Sequence, residues 1–469
     1  MAKLIVRPSP SKRPNCISPN LSCEDVNVTQ SISRLRLIGF SVGAVGTGLF
    51  STTPTVLLLF YLTQLKGVEA GLAGLALLIP KLWDMVTDPA IGRWSDAANS
   101  KYGRRLPFML AGTLLMPLGL IMMFSVPESA TADTAFWFVL VAYLFSATAY
   151  TLFSVPYITI PAELSRDPDE RLKIMSYRTA GVMLGIIAGS GLPPFLISYF
   201  GETVAAYQQT AMILAGICVV FMLISIGSIA SLKLLEPVQQ QRLRFVQQLR
   251  QVMTPLFSYL VVTHVLQIIA VGILLACASY LAIFVNGLSG AAAGSFLTAT
   301  FATATVAMPL WRRISTATSR VMAFALGTAV YTCVAVVMLW QGTATPYGLF
   351  VGLGIGFGLG FAAIQMIPYA LLTDTIHQHG ANHGFGAEGI FTGIWTATEK
   401  LGLALAPFLV GVALQAGGFI SGAPKQTPFA IDTILFVATL LPALLMLLSL
   451  GSLLAFQKHF ARQQVAGSH

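Results

Sequence analysis

Apolar runs of 18 or more residues recur along this chain from about residue 36 to residue 456. As a helix, each run is long enough to cross the ~30 Å hydrocarbon layer of a bilayer. Lipid offers the peptide backbone no hydrogen-bond partners, so repeated spans of this kind must fold as helices packed on one another. The alternative is a very large water-soluble core, and the composition excludes it. Only 10% of the 469 residues are charged and 55% are hydrophobic, against about 25% charged in a soluble domain. With a mean hydropathy of +0.77, the chain reads as an all-α polytopic membrane protein.

Twelve spans are expected, at 36–63, 69–95, 106–126, 134–162, 176–200, 207–232, 254–284, 292–311, 319–340, 345–374, 387–416 and 428–456. Placing both termini in the cytosol puts 23 of the 27 Lys and Arg residues in the tails, the even-to-odd loops or the adjoining span ends. Only Lys66 and Lys425 lie on the other side, and Lys81 and Lys400 lie within spans. This is the positive-inside pattern of a multi-pass plasma (bacterial inner) membrane protein with cytosolic termini. It accounts for the net charge of +9 without a nucleic-acid partner. The five cysteines have no paired spacing and read as small packing residues.

The longest internal polar connection, 233–253, divides the spans into two sets of six. The expected organisation is a tail at 1–33, a six-helix half at 34–232, the linker, a second half at 254–456 and a tail at 457–469. An internal echo supports related halves. Pro156-Tyr157 precedes Glu163 at the end of span 4, and Pro368-Tyr369 precedes Asp374 at the end of span 10. Related halves point to an alternating-access carrier whose site lies between them, near the membrane midplane.

The spans carry ionisable groups, which lipid tolerates only where they face a cavity or each other. In "KLWDMVTDPAIGRW", Lys81, Asp84 and Asp88 fall on one helix face, with the two acids about 6 Å apart along the axis. Thr87 adds a neutral oxygen, and Pro80 and Pro89 interrupt the backbone ladder around them. Carboxylates with a hydroxyl suit a hard monovalent cation, and one buried carboxylate suffices for a proton. Span 11 supplies Glu399 and Lys400. Lys400 is too deep to reach either surface, and pairing with span 2 is the economical expectation.

The stretch "KLWDMVTDPAIGRWSDAANSKYGRRLPFML" resembles the span 2 to span 3 signature of the glycoside–pentoside–hexuronide:cation symporters, the melibiose-permease-like branch of the major facilitator superfamily. "PAELSRDPDER" and "EGIFTGIWTATEKLGLALAPF" match further blocks, and the resemblance covers nearly the whole chain after residue 35. It implies the twelve-span major facilitator fold and uptake of a small solute, a sugar or glycoside, coupled to Na⁺ or H⁺. The same branch includes lysolipid carriers, so an amphiphilic solute is the alternative. By this resemblance Asp84, Asp88, Thr87 and Thr151 form the cation site, with Lys400 and Lys81 as charge partners. Arg178 matches an arginine of the substrate pocket, and Lys81 stands where the melibiose carriers have an arginine. Two positions depart from the pattern: an aspartate of span 4 is Ser154 here, and an acid of span 1 that holds galactoside hydroxyls is Gly48. Tyr150, Trp395 and Thr396 complete the expected substrate contacts. The expectation includes no resident cofactor or metal and a monomer.

The loop Asp96…Gly103-Arg104-Arg105 reads as a gate latch at the cytosolic ends of spans 2 and 3, with "LWRRIS" as its weaker counterpart in the second half. "GLGIGFGLGF" has no preceding strand and reads as helix packing through Gly352, Gly356 and Gly360, not as a nucleotide loop. His377, His379 and His383 read as solvated loop histidines, and His264 as a core or pocket histidine.

Overall fold

The computed structural model describes residues 33–98, 100, 103–165, 167–232, 252–383 and 388–466. They form twelve helices, each long and apolar enough to cross a membrane. In chain order these are α1 (Arg34–Phe60), α2 (Ala70–Ala97), α3 (Leu106–Met123), α4 (Ala132–Leu164), α5 (Pro168–Tyr199) and α6 (Val204–Ile229), then α7 (Pro255–Tyr280), α8 (Gly290–Ala317), α9 (Arg320–Gln341), α10 (Tyr347–His383), α11 (Glu388–Ala416) and α12 (Pro428–Ala466). An even number of crossings brings the start of α1 and the end of α12 to one face, called here the terminal face. The connection between α6 and α7, and the tail before Ser33, lie outside the described residues.

Local chemistry sets the helix starts. Thr131, Asp167, Thr203, Thr254 and Ser319 each accept a backbone N–H of the first turn of α4, α5, α6, α7 and α9. Such caps satisfy donors that the helix itself leaves open. Pro168 and Pro255 occupy the first helical positions, where proline has no donor to lose.

Two helices run further than expected. α12 continues to Ala466, ten residues past the anticipated end at 456, because no proline or glycine interrupts "QKHFARQQVA". α10 likewise runs beyond 374 and takes in His377 and His379, which are therefore helical and not loop residues. His379 is buried, with its ring 5.2 Å from that of Phe391. The side chain of His383 lies outside the described residues.

Glycine pairs set the close crossings. The alternating glycines of α10 serve two neighbours, not the single face expected. A methyl at Gly356 or Gly360 would lie 2.8 Å from Val334 Cγ2 or 2.7 Å from the Tyr331 backbone nitrogen, both on α9. At Gly354 it would lie 2.6 Å from the Phe296 carbonyl oxygen, and at Gly358 2.8 Å from Thr303 Cβ, both on α8. Gly352 meets open space.

The halves meet closely at the face opposite the termini. There α1 and α7 each end in a five-residue π-helical turn, Tyr61–Leu65 and Leu281–Val285. Each turn closes on a glycine with positive φ, 66° at Gly67 and 62° at Gly287. The hydroxyls of Thr63 and Tyr280 lie 2.6 Å apart across the halves. Gly422 donates to the Thr63 carbonyl at 3.0 Å, Gln64 to the Ala423 carbonyl at 2.6 Å, and Gly290 to Glu202 Oε1 at 3.0 Å.

Toward the terminal face the same helices separate. On α2 and α11, a methyl at Gly74 would lie 2.8 Å from Phe408 Cα near the opposite face, whereas methyls at Gly389 and Gly393 near the terminal face would meet nothing within 4 Å. The bundle is closed at the opposite face and open toward the terminal face.

Candidate functional site: a charged cavity between the halves

A cavity of about 240 Å³ lies between the halves, lined by α1, α2, α4 and α5 on one side and α7, α8, α10 and α11 on the other. Its charged wall is built from α2 and α11. Asp84 is 2% exposed, and Lys81, three residues earlier, places Nζ 3.7 Å from Asp84 Oδ2. The same ammonium lies 5.7 Å from the centre of the Tyr143 ring, a cation–π distance. Asp88, one turn further, holds two partners from other helices. Lys400 Nζ donates to Oδ2, and the Thr151 hydroxyl donates to Oδ1 at 3.0 Å. The expectation that Lys400 would pair with span 2 is met at Asp88.

The spacing explains this division. Residues 81, 84 and 88 share one face of α2, but Lys81 sits one turn from Asp84 and cannot serve Asp88 as well. Asp88 is therefore left to a cation from outside its own helix. Thr87 turns its hydroxyl onto the carbonyls of Trp83 at 3.2 Å and Asp84 at 3.5 Å, so its proton serves its own helix.

Of the six expected substrate contacts, only Tyr150 lines the cavity, with its ring stacked on Phe50 at 5.2 Å. Gly48 instead lies at the crossing of α1 and α5, where a methyl would be 2.6 Å from the Val182 carbonyl oxygen. No side chain fits there. Trp395 is buried and stacks on His264 with 4.0 Å between ring centres, because that edge of α11 faces α7. Arg178 places its guanidinium 5.5 Å from the Tyr157 ring. Thr396 is exposed and bonds to the Thr392 carbonyl at 2.9 Å. Ser154, about one turn beyond Thr151, is half-buried on α4 and also lies outside the cavity lining.

Among the lining residues that the sequence does not mark as solute contacts are Glu399 and Gln365. Glu399 accepts a hydrogen bond from the Tyr369 hydroxyl at 2.9 Å, and Gln365 presents a buried Oε1 with no partner. Both signals were visible: a second charge beside Lys400, and a lone amide in the apolar "AAIQMIPY".

At the terminal face the expected latch residues come together. Arg105 is buried and reaches Asp96 at 2.5 Å, Glu163 at 2.8 Å and the Ser95 hydroxyl at 2.9 Å, and Arg104 reaches Glu163 at 2.9 Å. In the second half Arg320, at the start of α9, pairs with Asp374 on α10. That bond replaces the expected role of "LWRRIS", and it repeats the first half element for element.

A two-half bundle of twelve helices, closed at one face around a charged polar cavity, defines an alternating-access membrane carrier. The sequence profile of the MFS/sugar transport protein family matches residues 39–457, and the chain belongs to that family. It is 26% identical to a symporter of Synechocystis, covering 92% of this chain and 94% of that one. It is 23% identical to a glucuronide carrier protein homolog of Escherichia coli (90% and 92%) and 23% identical to the sodium-dependent lysophosphatidylcholine symporter 1 of Gallus gallus (92% and 88%). Among solved structures, an inward-facing, unoccupied bacterial homologue of the human lysosomal transporter Spinster superposes with a TM-score of 0.73 at 13% identity, covering 92% and 98% of the two chains. At that identity the likeness concerns the fold.

Proposed function

We propose that this protein is a cation-coupled symporter of a small solute, a sugar or glycoside, with both termini in the cytosol of a bacterial inner membrane. The terminal face is then the cytosolic face, and the described state is inward-open. The observation that carries the reading is the pairing of both span 2 carboxylates with ammonium groups, Lys81 on Asp84 and Lys400 on Asp88. Each ammonium stands where a coupling cation would otherwise neutralise the acid, as suits a state that has released its ion inward.

The cycle follows from charge balance. Two carboxylates within a membrane need compensation at every step. A Na⁺ or H⁺ arriving at Asp88 replaces Lys400 there, with Thr151 as a neutral oxygen beside it. The freed ammonium turns to the solute cavity that it already lines. Ion and solute binding are thereby linked through one side chain, as coupling between sites requires. Arg105 and its acids hold the cytosolic ends of α2, α3 and α4 together, so that the half moves as a rigid unit.

Asp88→Asn keeps the shape and removes the charge. In proteoliposomes with an imposed cation gradient, accumulation is expected to fall to background while solute exchange across the membrane persists. Full gradient-driven accumulation by the variant would remove Asp88 from the coupling site. Running the assay with a Na⁺ gradient at constant pH, then with a pH gradient in Na⁺-free buffer, identifies the ion.

A further inference from the structure

We propose that the C-terminal half supplies the acceptors that hold the solute's hydroxyl groups, through Gln365 and Glu399, and that they select a neutral polyhydroxylated solute over an acidic one. The inference rests on the carrier reading above and names the solute chemistry of the same cavity.

The cavity wall has a surplus of acceptors. Asp84 Oδ1 and Gln365 Oε1 are buried without hydrogen-bond partners, one from each half. A buried acceptor left open is costly, and both belong to residues that line the cavity. Glu399 shares that lining, and its described hydrogen bond, from Tyr369, engages Oε2. Lys400, its neighbour in sequence, is committed to Asp88. A solute that brings donors to both walls satisfies all three acceptors at once, and hydroxyl groups on a ring can do so from opposite edges.

The same residues account for the two departures from the melibiose-type pattern. Gly48 has no room for a side chain, and Ser154 lies outside the lining, so neither position can hold a solute hydroxyl in this state. The acceptor role passes to the opposite wall. The rings of Tyr143, Tyr150, Phe301 and Phe361 supply apolar surface between the polar ends, the usual build of a small-molecule site.

Charge sets the selectivity. The group formed by Lys81, Lys400, Asp84, Asp88 and Glu399 has two ammoniums against three carboxylates, and each ammonium is held by an aspartate. In this state a carboxylate on the solute would meet Glu399 and the open edge of Asp84 while both ammoniums are held; when an ion at Asp88 frees Lys400, Glu399 on the same wall remains to balance it.

The test uses the purified full-length protein in lipid nanodiscs, with equilibrium binding by calorimetry. The probes are methyl β-D-glucoside, methyl β-D-xyloside and methyl β-D-glucuronide, with a lysophosphatidylcholine as the amphiphile. The wild type is expected to bind a neutral glycoside at least about tenfold more tightly than the glucuronide. Gln365→Ala is expected to weaken the neutral glycoside about tenfold. Glu399→Gln is expected to weaken it and also to narrow the preference over the glucuronide, which a loss of packing alone would not do. Ser154→Ala should bind as the wild type does. Equal affinity of the wild type for glucoside and glucuronide overturns the proposal. So do unchanged affinities in both cavity variants, or binding of the lysolipid alone. Binding is read here without a gradient and accumulation is read with one, so full gradient-driven accumulation by Asp88→Asn overturns the coupling assignment alone, whereas the binding outcomes above overturn this proposal alone.

Discussion

At the scale of single residues, ionisable groups in the spans were the most legible part of the site, because lipid permits so few. Asp84, Asp88 and Lys400 could be read as a group from their depth alone, and Lys400 reaches Asp88 while Lys81, on α2 itself, reaches Asp84. Aromatic residues were poorly legible. Trp395 is close in sequence to Lys400, yet a shift of five positions along a helix turns a side chain well away from its neighbour's direction. The stacking of Trp395 on His264 makes it a packing residue of the C-terminal half. Trp395→Ala is expected to lower stability by about 3–5 kcal/mol, the usual cost of removing a large buried ring, with little change in the affinity of the material that remains folded. Thermal unfolding in detergent alongside equilibrium binding checks this, and a large loss of affinity at unchanged stability would return Trp395 to the solute site.

At the scale of helices, span count and order could be read from hydropathy, but helix ends could not. Neither "IHQHGANH" nor "QKHFARQQVA" contains a proline, the helix runs through Gly380, and polar composition alone does not end a helix. Crossings were legible only as small-residue stripes, because sequence shows that a helix can be approached but not by which neighbour. The contact of Gly74 with Phe408 holds α2 and α11 together near the closed face. Gly74→Val would place a side chain against backbone, so the helices must part there and the face opposite the termini should open more often. A cysteine in place of Gln64, which bonds across the closed face, reports this: its labelling by an impermeant thiol reagent should rise severalfold in the Gly74→Val background. An unchanged rate would show that closure does not depend on this crossing.

At the scale of the whole molecule, the two-half plan was legible from the Pro-Tyr and acid echo, whereas the conformation was not. A carrier's sequence encodes at least two packings of the same halves, separated by a small free energy, and no pattern of residues says which one is populated. The bonds between the halves do say so, and the hydroxyl contact of Thr63 with Tyr280 is among the most direct. Tyr280→Phe removes it and leaves the ring in place. A buried hydrogen bond of this kind contributes about 0.5–1.5 kcal/mol, so the population closed at the face opposite the termini should fall by roughly twofold to tenfold against the population open there. Distance distributions between spin labels on the ends of α1 and α7 measure the shift. Unaltered distributions would mean that the remaining bonds of that face suffice.

The paired π turns carry a consequence for the history of the chain. A π turn closed by a left-handed glycine is one way to end a helix. Here the two endings match: five residues, then Lys66 or Asn286, then a left-handed glycine. The hydrogen bonds agree as well, from Lys66 to Tyr61 and Val68 to Leu62 in one half, and from Asn286 to Leu281 and Leu288 to Ala282 in the other. Arg105–Glu163 and Arg320–Asp374 are a second matching pair. Helix endings that match bond for bond at corresponding places in the two halves are most simply one ending inherited twice, through duplication of a six-helix unit.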